Sequence, residues 1–319
     1  MTEDTAAAPT ATATGDTPLS GTQYVIEAHG YRVTVASTGA TLRELTFDGR
    51  DLTVPFAADE VRRNFRGATL APWPNRIIDG TYTFAGEDRQ LALTEPERGH
   101  ALHGLVSWVD FSVVEHVGDA VTLAAIIPPQ VGYPHRVRVS VTFTVSSDGL
   151  TQSIGATNVG DTTAPYGCSA HPYLVAGEGI VDDWTLELSA SDVFLTEGDR
   201  LLPDRVASVD SVLDGTLDFR GGRVIGDTFV DHAYTSLEFS PRATVRVTTA
   251  AGSGVAIEFD EACPWVQIHT ADRPAPEPSR IGLAVEPMTC PPDAFNSKTD
   301  VVELEPGATH EVSWRISAL

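Results

Sequence analysis

Short runs in which apolar and polar residues alternate recur along this chain, the period-2 pattern of half-buried strands. They fall at Tyr31 to Ala36, Tyr82 to Phe84, Phe111 to Glu115, Val121 to Ile127, Val137 to Val145, Thr185 to Leu188, Thr244 to Thr249, Val255 to Phe259 and Val312 to Ile316. Turn-forming residues separate them, as at Asp48-Gly49, Asp79-Gly80, Asp148-Gly149 and Gly252-Ser-Gly254. No long window carries an apolar stripe at helical spacing, so the pattern predicts an all-β fold, mostly antiparallel, with little helix. Ala57 to Phe65 is the best candidate for a short helix, with Asp59, Glu60, Arg62 and Arg63 facing outward.

Residues 1 to about 18 break the pattern. They are Ala, Thr, Pro and Gly with few large apolar groups, too little to offset the entropy of ordering, and are predicted to be a disordered tail. The fold is expected to begin near Thr22. With no internal repeat and no linker-like break, residues 19–319 are expected to form one large antiparallel β-sandwich.

Composition narrows the range of partners. The chain has 319 residues, 42% of them hydrophobic, and a formal net charge of -23 from 44 acidic and 21 basic residues. Such a surface repels nucleic acid and anionic membranes, so the expected partner is a small molecule. Cys168, Cys263 and Cys290 are an odd number without CxxC or Cys/His zinc spacing, which indicates neither a disulfide framework nor a structural metal. There is no signal peptide and no run near the ~18 apolar residues of a membrane helix, and a reducing, cytoplasmic compartment is the expectation.

Five segments hold polar groups in unusual company. In Pro165-Tyr-Gly-Cys-Ser-Ala-His171-Pro-Tyr-Leu-Val175, the following proline biases His171 away from helix and the neighbours suggest partial burial. An imidazole there is either a proton donor and acceptor near neutral pH or a histidine satisfied by the backbone. In Leu70-Ala-Pro-Trp-Pro-Asn-Arg-Ile77, two prolines fix the chain that delivers Asn75 and Arg76. The Arg76 fork suits sugar hydroxyls or a carboxylate, or else a salt bridge. His100 and His103 in Gly99-His-Ala-Leu-His-Gly104 would point to opposite faces of an extended chain, a poor metal site. His103, next to a glycine that permits close approach, is the better candidate for a pocket. Asp231, between Phe229-Val230 and His232-Ala-Tyr234, is either an acceptor for sugar hydroxyls or a turn cap. Glu286 ends the apolar run Ile281-Gly-Leu-Ala-Val-Glu286 and is pinned by Pro287. A carboxyl buried there is costly unless paired, and desolvation would raise its pKa toward that of a useful general base. GxSxG, P-loop and GxGxxG motifs are absent, and Cys168 reads as packing.

Taken together, Asn75-Arg76, Leu102-His103-Gly104, His171-Pro-Tyr-Leu174, Asp231-His232-Ala-Tyr234 and Glu286-Pro-Met, followed by Pro292-Asp-Ala-Phe-Asn296, resemble in that order the aldose 1-epimerase (galactose mutarotase) family. The resemblance implies a galactose mutarotase-like supersandwich that interconverts the α and β anomers of a free aldose without a cofactor or metal. It further implies Glu286 as general base on the C1 hydroxyl, His171 as general acid toward the ring oxygen, and His103, Asp231, Arg76 and Asn75 as sugar ligands. Trp73, Tyr173 and Trp265 are candidates for stacking on a pyranose, or for core. The chain departs from the family at Pro172-Tyr-Leu174 and at Gln267-Ile-His269-Thr-Ala271, positions that shape the pocket. Two alternatives stay open: a mutarotase for an anionic sugar, with Arg62, Arg63 and Arg66 over its charged group, and a non-catalytic sugar-binding protein.

Overall fold

The computed structural model describes residues 17–319, so the expected tail lies outside the described residues up to position 16. Over the described part the protein is rich in strand, about 49%, with 4% helix, as the alternation predicts. The first strand, Gln23–Ala28, starts where the sequence places the start of the fold. It opens a four-stranded sheet with Tyr31–Ala36, Thr41–Phe47 and Arg50–Asp51. The last two are joined by Asp48-Gly49, both at positive φ (48° and 80°), the geometry that a two-residue hairpin turn needs and that Asp-Gly favours.

Two larger antiparallel sheets carry most of the rest, beside four two-stranded ones. The nine-stranded sheet runs Ser112–His116, Ala120–Ile127, Val137–Ser146, Gly149–Asn158, Thr309–Ala318, Gly254–Phe259, Ala243–Thr248, Thr185–Leu188 and Arg223–Val224. The six-stranded sheet runs Tyr173–Leu174, Leu283–Met288, Trp265–His269, Asp231–Leu237, Ala190–Glu197 and Leu202–Ser208. Alternation fixes what each face does. In Val137–Ser146 the odd-numbered Val137, Val139, Val141 and Phe143 are fully buried while Arg138 is exposed and Ser140, Thr142 and Thr144 are half-buried. One contiguous apolar core runs from Ile26 to Ile316 and takes in Val141, Phe143, Trp314 and Ile257 of the nine-stranded sheet and Val266, Ile268 and Val285 of the six-stranded one.

The segment Ala57 to Phe65 is not a helix; it is a series of turns. Arg62, expected to face water, is buried instead. It donates to Thr41 Oγ1 and to the Ser107 carbonyl, and its guanidinium lies 4.5 Å from the Trp108 ring centroid. The polar positions therefore do not form the solvated face that a surface helix requires. The single α-helix among the described residues is one turn, Ala294–Ser297.

Gly104 shows how tightly the fold closes around one future site residue. Its φ is 73°, and a Cβ there would meet the Ala71 carbonyl oxygen at 2.1 Å. The close approach expected beside His103 is thus made by backbone. Gly104→Ala is expected to destabilise the protein by roughly 2 kcal/mol or more, read as a shift in denaturant midpoint at unchanged m-value.

Candidate active site

The six-stranded sheet presents one polar patch, and its ladder explains why. Directly opposed residues of an antiparallel pair share a face. Glu286 is opposite Gln267, Ala284 is opposite both His269 and Tyr173, and His269 is opposite Asp231. Glu286, Gln267, His269, Asp231 and Tyr173 consequently share one face, while the alternate Val285, Ile268, Val266 and Leu283 turn into the core. All five line a cavity of about 240 Å³, together with Asn75, Arg76, His103 and His171. That is below the roughly 300–1,000 Å³ of pockets for drug-sized ligands and suits a compact solute.

His171 reaches the same cavity from the connection between two short strands. Ser169–Ala170 pairs with Thr69–Leu70, Tyr173–Leu174 pairs with the Glu286 strand, and His171 is held between them by backbone bonds to Ala68 and Gly67. Its ring stacks on Tyr173 (centroids 4.9 Å apart, planes 6° apart) and meets the edge of His103. Its Nε2 lies 3.3 Å from Glu286 Oε1. The two groups are side by side, not across a gap from each other.

His103 and Asn75 form a clip. Both have positive φ (60° and 52°), uncommon for such residues and costly unless the surroundings enforce it. The His103 N–H donates to the Asn75 carbonyl at 2.8 Å, and the Asn75 N–H donates to His103 Nδ1 at 3.2 Å. An N–H can only donate, so Nδ1 is the acceptor and the neutral ring carries its proton on Nε2. The Asn75 carboxamide oxygen accepts from the Arg76 N–H, which leaves its amide nitrogen to offer the cavity. Arg76 grips Glu95 through Nε (2.7 Å) and Nη2 (2.9 Å), and its Nη1 donates to Asn75 Oδ1 at 3.4 Å while keeping a second N–H for a ligand. The salt-bridge reading of Arg76 is thus present, and the same side chain borders the cavity.

Burial sets the electrostatics. It pushes the Glu286 carboxyl well above the usual carboxylate range, Asp231 adding to the effect and Arg76 opposing it. It pushes His171 well below the ordinary imidazole value, with His103 and His269 adding to the effect. His103 is lowered in the same way, by burial first and then by Arg76. The desolvated pair thus favours its uncharged form, a carboxylic acid beside a neutral imidazole.

A donor atom from each of His103, His171 and Glu286 lies within 4.8 Å of the other two, a spacing that a metal ion could bridge. The residues do not fit one. A ligating histidine needs a bare nitrogen toward the ion and its other N–H on an acceptor. The Asn75 N–H forces the reverse arrangement on His103, and His171 Nδ1 is buried with no partner.

Other expectations are redistributed. His100 is buried away from the cavity, its Nδ1 accepting from Asp79 N–H and its Nε2 bonded to the Arg200 carbonyl. Trp73 is core and donates to the Ala101 carbonyl, and Trp265 is buried and donates to Asp300, so of the three stacking candidates only Tyr173 borders the cavity. Phe65 and the half-exposed Phe229 are the aromatic walls that the sequence reading missed. Of the expected cationic cluster, Arg62 is buried elsewhere, Arg66 donates to the Pro55 carbonyl and Arg63 is exposed; Arg98 and Arg273 are the further cations on the cavity. Gln267 and His269, two polar residues spaced by two in the otherwise apolar Trp265–His269, were the available signal for this sheet face.

An antiparallel supersandwich with a carboxyl–imidazole contact ringed by polar side chains matches what the resemblance to the aldose 1-epimerases implies. A model of the Aldose 1-epimerase family matches residues 22–317, and the chain belongs to that family. It is 35% identical over 298 residues to the protein YihR of Escherichia coli K12, covering 93% of each chain. It is 25% identical over 329 residues to the galactose mutarotase of Bos taurus, covering 93% of this chain and 94% of that one. In fold it is similar to the GalM/aldose epimerase homologue of Caenorhabditis elegans, with a TM-score of 0.80 at 22% identity over 93% of this chain and 99% of that one.

Two outcomes follow from the electrostatics. Because Glu286 titrates higher folded than unfolded, its ionisation lowers stability as pH rises from the unfolded value toward the folded one. Glu286→Gln should raise Tm by roughly 2–4 °C at pH 8 and leave it nearly unchanged at pH 4, measured by calorimetry. Titration calorimetry with Zn²⁺ should show no saturable site that His103→Asn removes.

Proposed function

We propose that the protein is a mutarotase that interconverts the α and β anomers of a free aldose. The observation that carries this reading is the buried Glu286–His171 contact at 3.3 Å, inside a small cavity whose other polar groups suit hydroxyls. Ring opening of a hemiacetal needs one proton removed from the C1 hydroxyl and one delivered to the ring oxygen. Those two oxygens sit on the same carbon, so an acid and a base placed side by side meet the requirement.

Glu286 as base takes the C1 hydroxyl proton, the C1–ring oxygen bond breaks as C1 becomes a carbonyl, and His171 as acid protonates the ring oxygen. Rotation about C1–C2 and reclosure, with both transfers reversed, gives the other anomer. Desolvation assists both transfers. A carboxylate whose pKa is pushed up is a stronger base, an imidazolium whose pKa is pushed down is a stronger acid, and the open-chain state leaves both groups uncharged. His103 Nε2–H is placed to donate to an oxygen at the reacting carbon, while Asp231, Arg76 Nη1 and the Asn75 amide serve the remaining hydroxyls. Phe229 and Phe65 offer apolar faces to the sugar ring. Three buried free thiols suit a reducing, cytoplasmic setting.

Glu286→Gln and His171→Asn are each expected to lower turnover by at least ~100-fold without unfolding the protein, followed by polarimetry on freshly dissolved sugars. Neutral and anionic aldoses in one panel sort the substrates, since Arg98 and Arg273 would favour a charged one. If no sugar relaxes faster than in buffer, the protein is a binder on this scaffold and the proposal fails.

A further inference from the structure

Gln267 stands between the two acidic residues of the site. In the sheet its strand lies between that of Glu286 and that of Asp231, and Gln267 is directly opposite Glu286. Its Nε2 donates to Asp231 Oδ1 at 2.7 Å. An ionised carboxylate can only accept, so the amide is locked with its nitrogen on Asp231 and its oxygen left for another partner. Gln267 Oε1 has none. It is buried without a hydrogen bond, and so is Oε2 of the neighbouring Glu286. Gln267 and Glu286 are 3% and 1% exposed, so bulk water does not satisfy these atoms. Two orphaned acceptors cannot satisfy each other, but a single proton between them satisfies both.

We infer that Gln267 Oε1 accepts a hydrogen bond from protonated Glu286 Oε2, which makes Gln267 a positioning residue that holds the acid form of Glu286 and ties it to Asp231. The relay runs across three adjacent strands, Glu286 to Gln267 to Asp231. Its consequence for catalysis rests on the reading of Glu286 as the base: Gln267 then holds back the ionisation that makes Glu286 a base. A hydrogen bond made only by the neutral form disfavours ionisation, so removing Gln267 lets Glu286 lose its proton at lower pH. Burial and the Asp231 charge act in the same direction and remain when Gln267 is replaced.

The test is a ¹³C NMR titration of the full-length protein with its glutamate side-chain carboxyls labelled, the Glu286 signal being the one missing in Glu286→Gln. In Gln267→Met and Gln267→Asn the Glu286 midpoint should fall by about half to one pH unit, and the alkaline limb of kcat/KM, which Glu286 governs because it titrates above His171, should move down with it. A midpoint that stays or rises overturns the inference. Should neither variant fold, the acid-minus-alkaline infrared difference of the wild type decides: a carbonyl band of a donating carboxylic acid supports the bond, and one of an unbonded acid overturns it. The two readings fail separately. A shifted midpoint in a protein that turns over no sugar sinks the mutarotase reading alone, and an active enzyme with an unmoved midpoint sinks the relay alone.

Discussion

The constraint on which this site depends is that a carboxyl and an imidazole are kept out of water 3.3 Å from each other. Either group alone would be an expensive orphan. Side by side each offers the other a partner, and burial favours the uncharged pair. The architecture is arranged around that contact. Glu286 is on an interior strand of the six-stranded sheet, with paired strands on both sides, and His171 hangs on a backbone bonded to Ala68 and Gly67.

The fold was legible because strand alternation survives in the sequence. Tyr31–Ala36 and Thr185–Leu188 occur where the pattern predicts them. Gly149–Asn158 escaped notice because its exposed-face Thr and Ser and its inward Gln152 blur the contrast, although Gln152 is buried and accepts from Trp314. Trp265–His269 and Asp231–Leu237 were missed because polar residues interrupt the apolar alternation: Gln267 is buried, and Asp231 and His269 are half-buried. The Ala57–Phe65 helix failed because a buried arginine looks, in sequence, like a surface one.

The site residues were legible as oddities of company, and their geometry was not. Proline after His171 and after Glu286 marked fixed backbone, yet the side-by-side placement of the two groups comes from strands more than a hundred positions apart. The tautomer of His103 is a similar case. It follows from one N–H, that of Asn75, which meets the ring because two left-handed residues face each other. Arg76 shows the limit of choosing between readings, since its guanidinium both pairs with Glu95 and borders the cavity. The relatives agree with the fold and family, and of the positions where the sequence departs from the resemblance His269 borders the cavity.

The central claim is that the buried pair opens and recloses a sugar ring. Two-dimensional exchange NMR on an aldose at anomeric equilibrium tests it most directly, because it watches the α and β anomeric protons trade places without any coupled assay. Adding the wild-type protein should produce exchange cross-peaks absent from buffer and from the protein lacking the Glu286 carboxyl. Unchanged spectra across a panel of aldoses, in a protein shown by line broadening to bind one of them, would contradict the account.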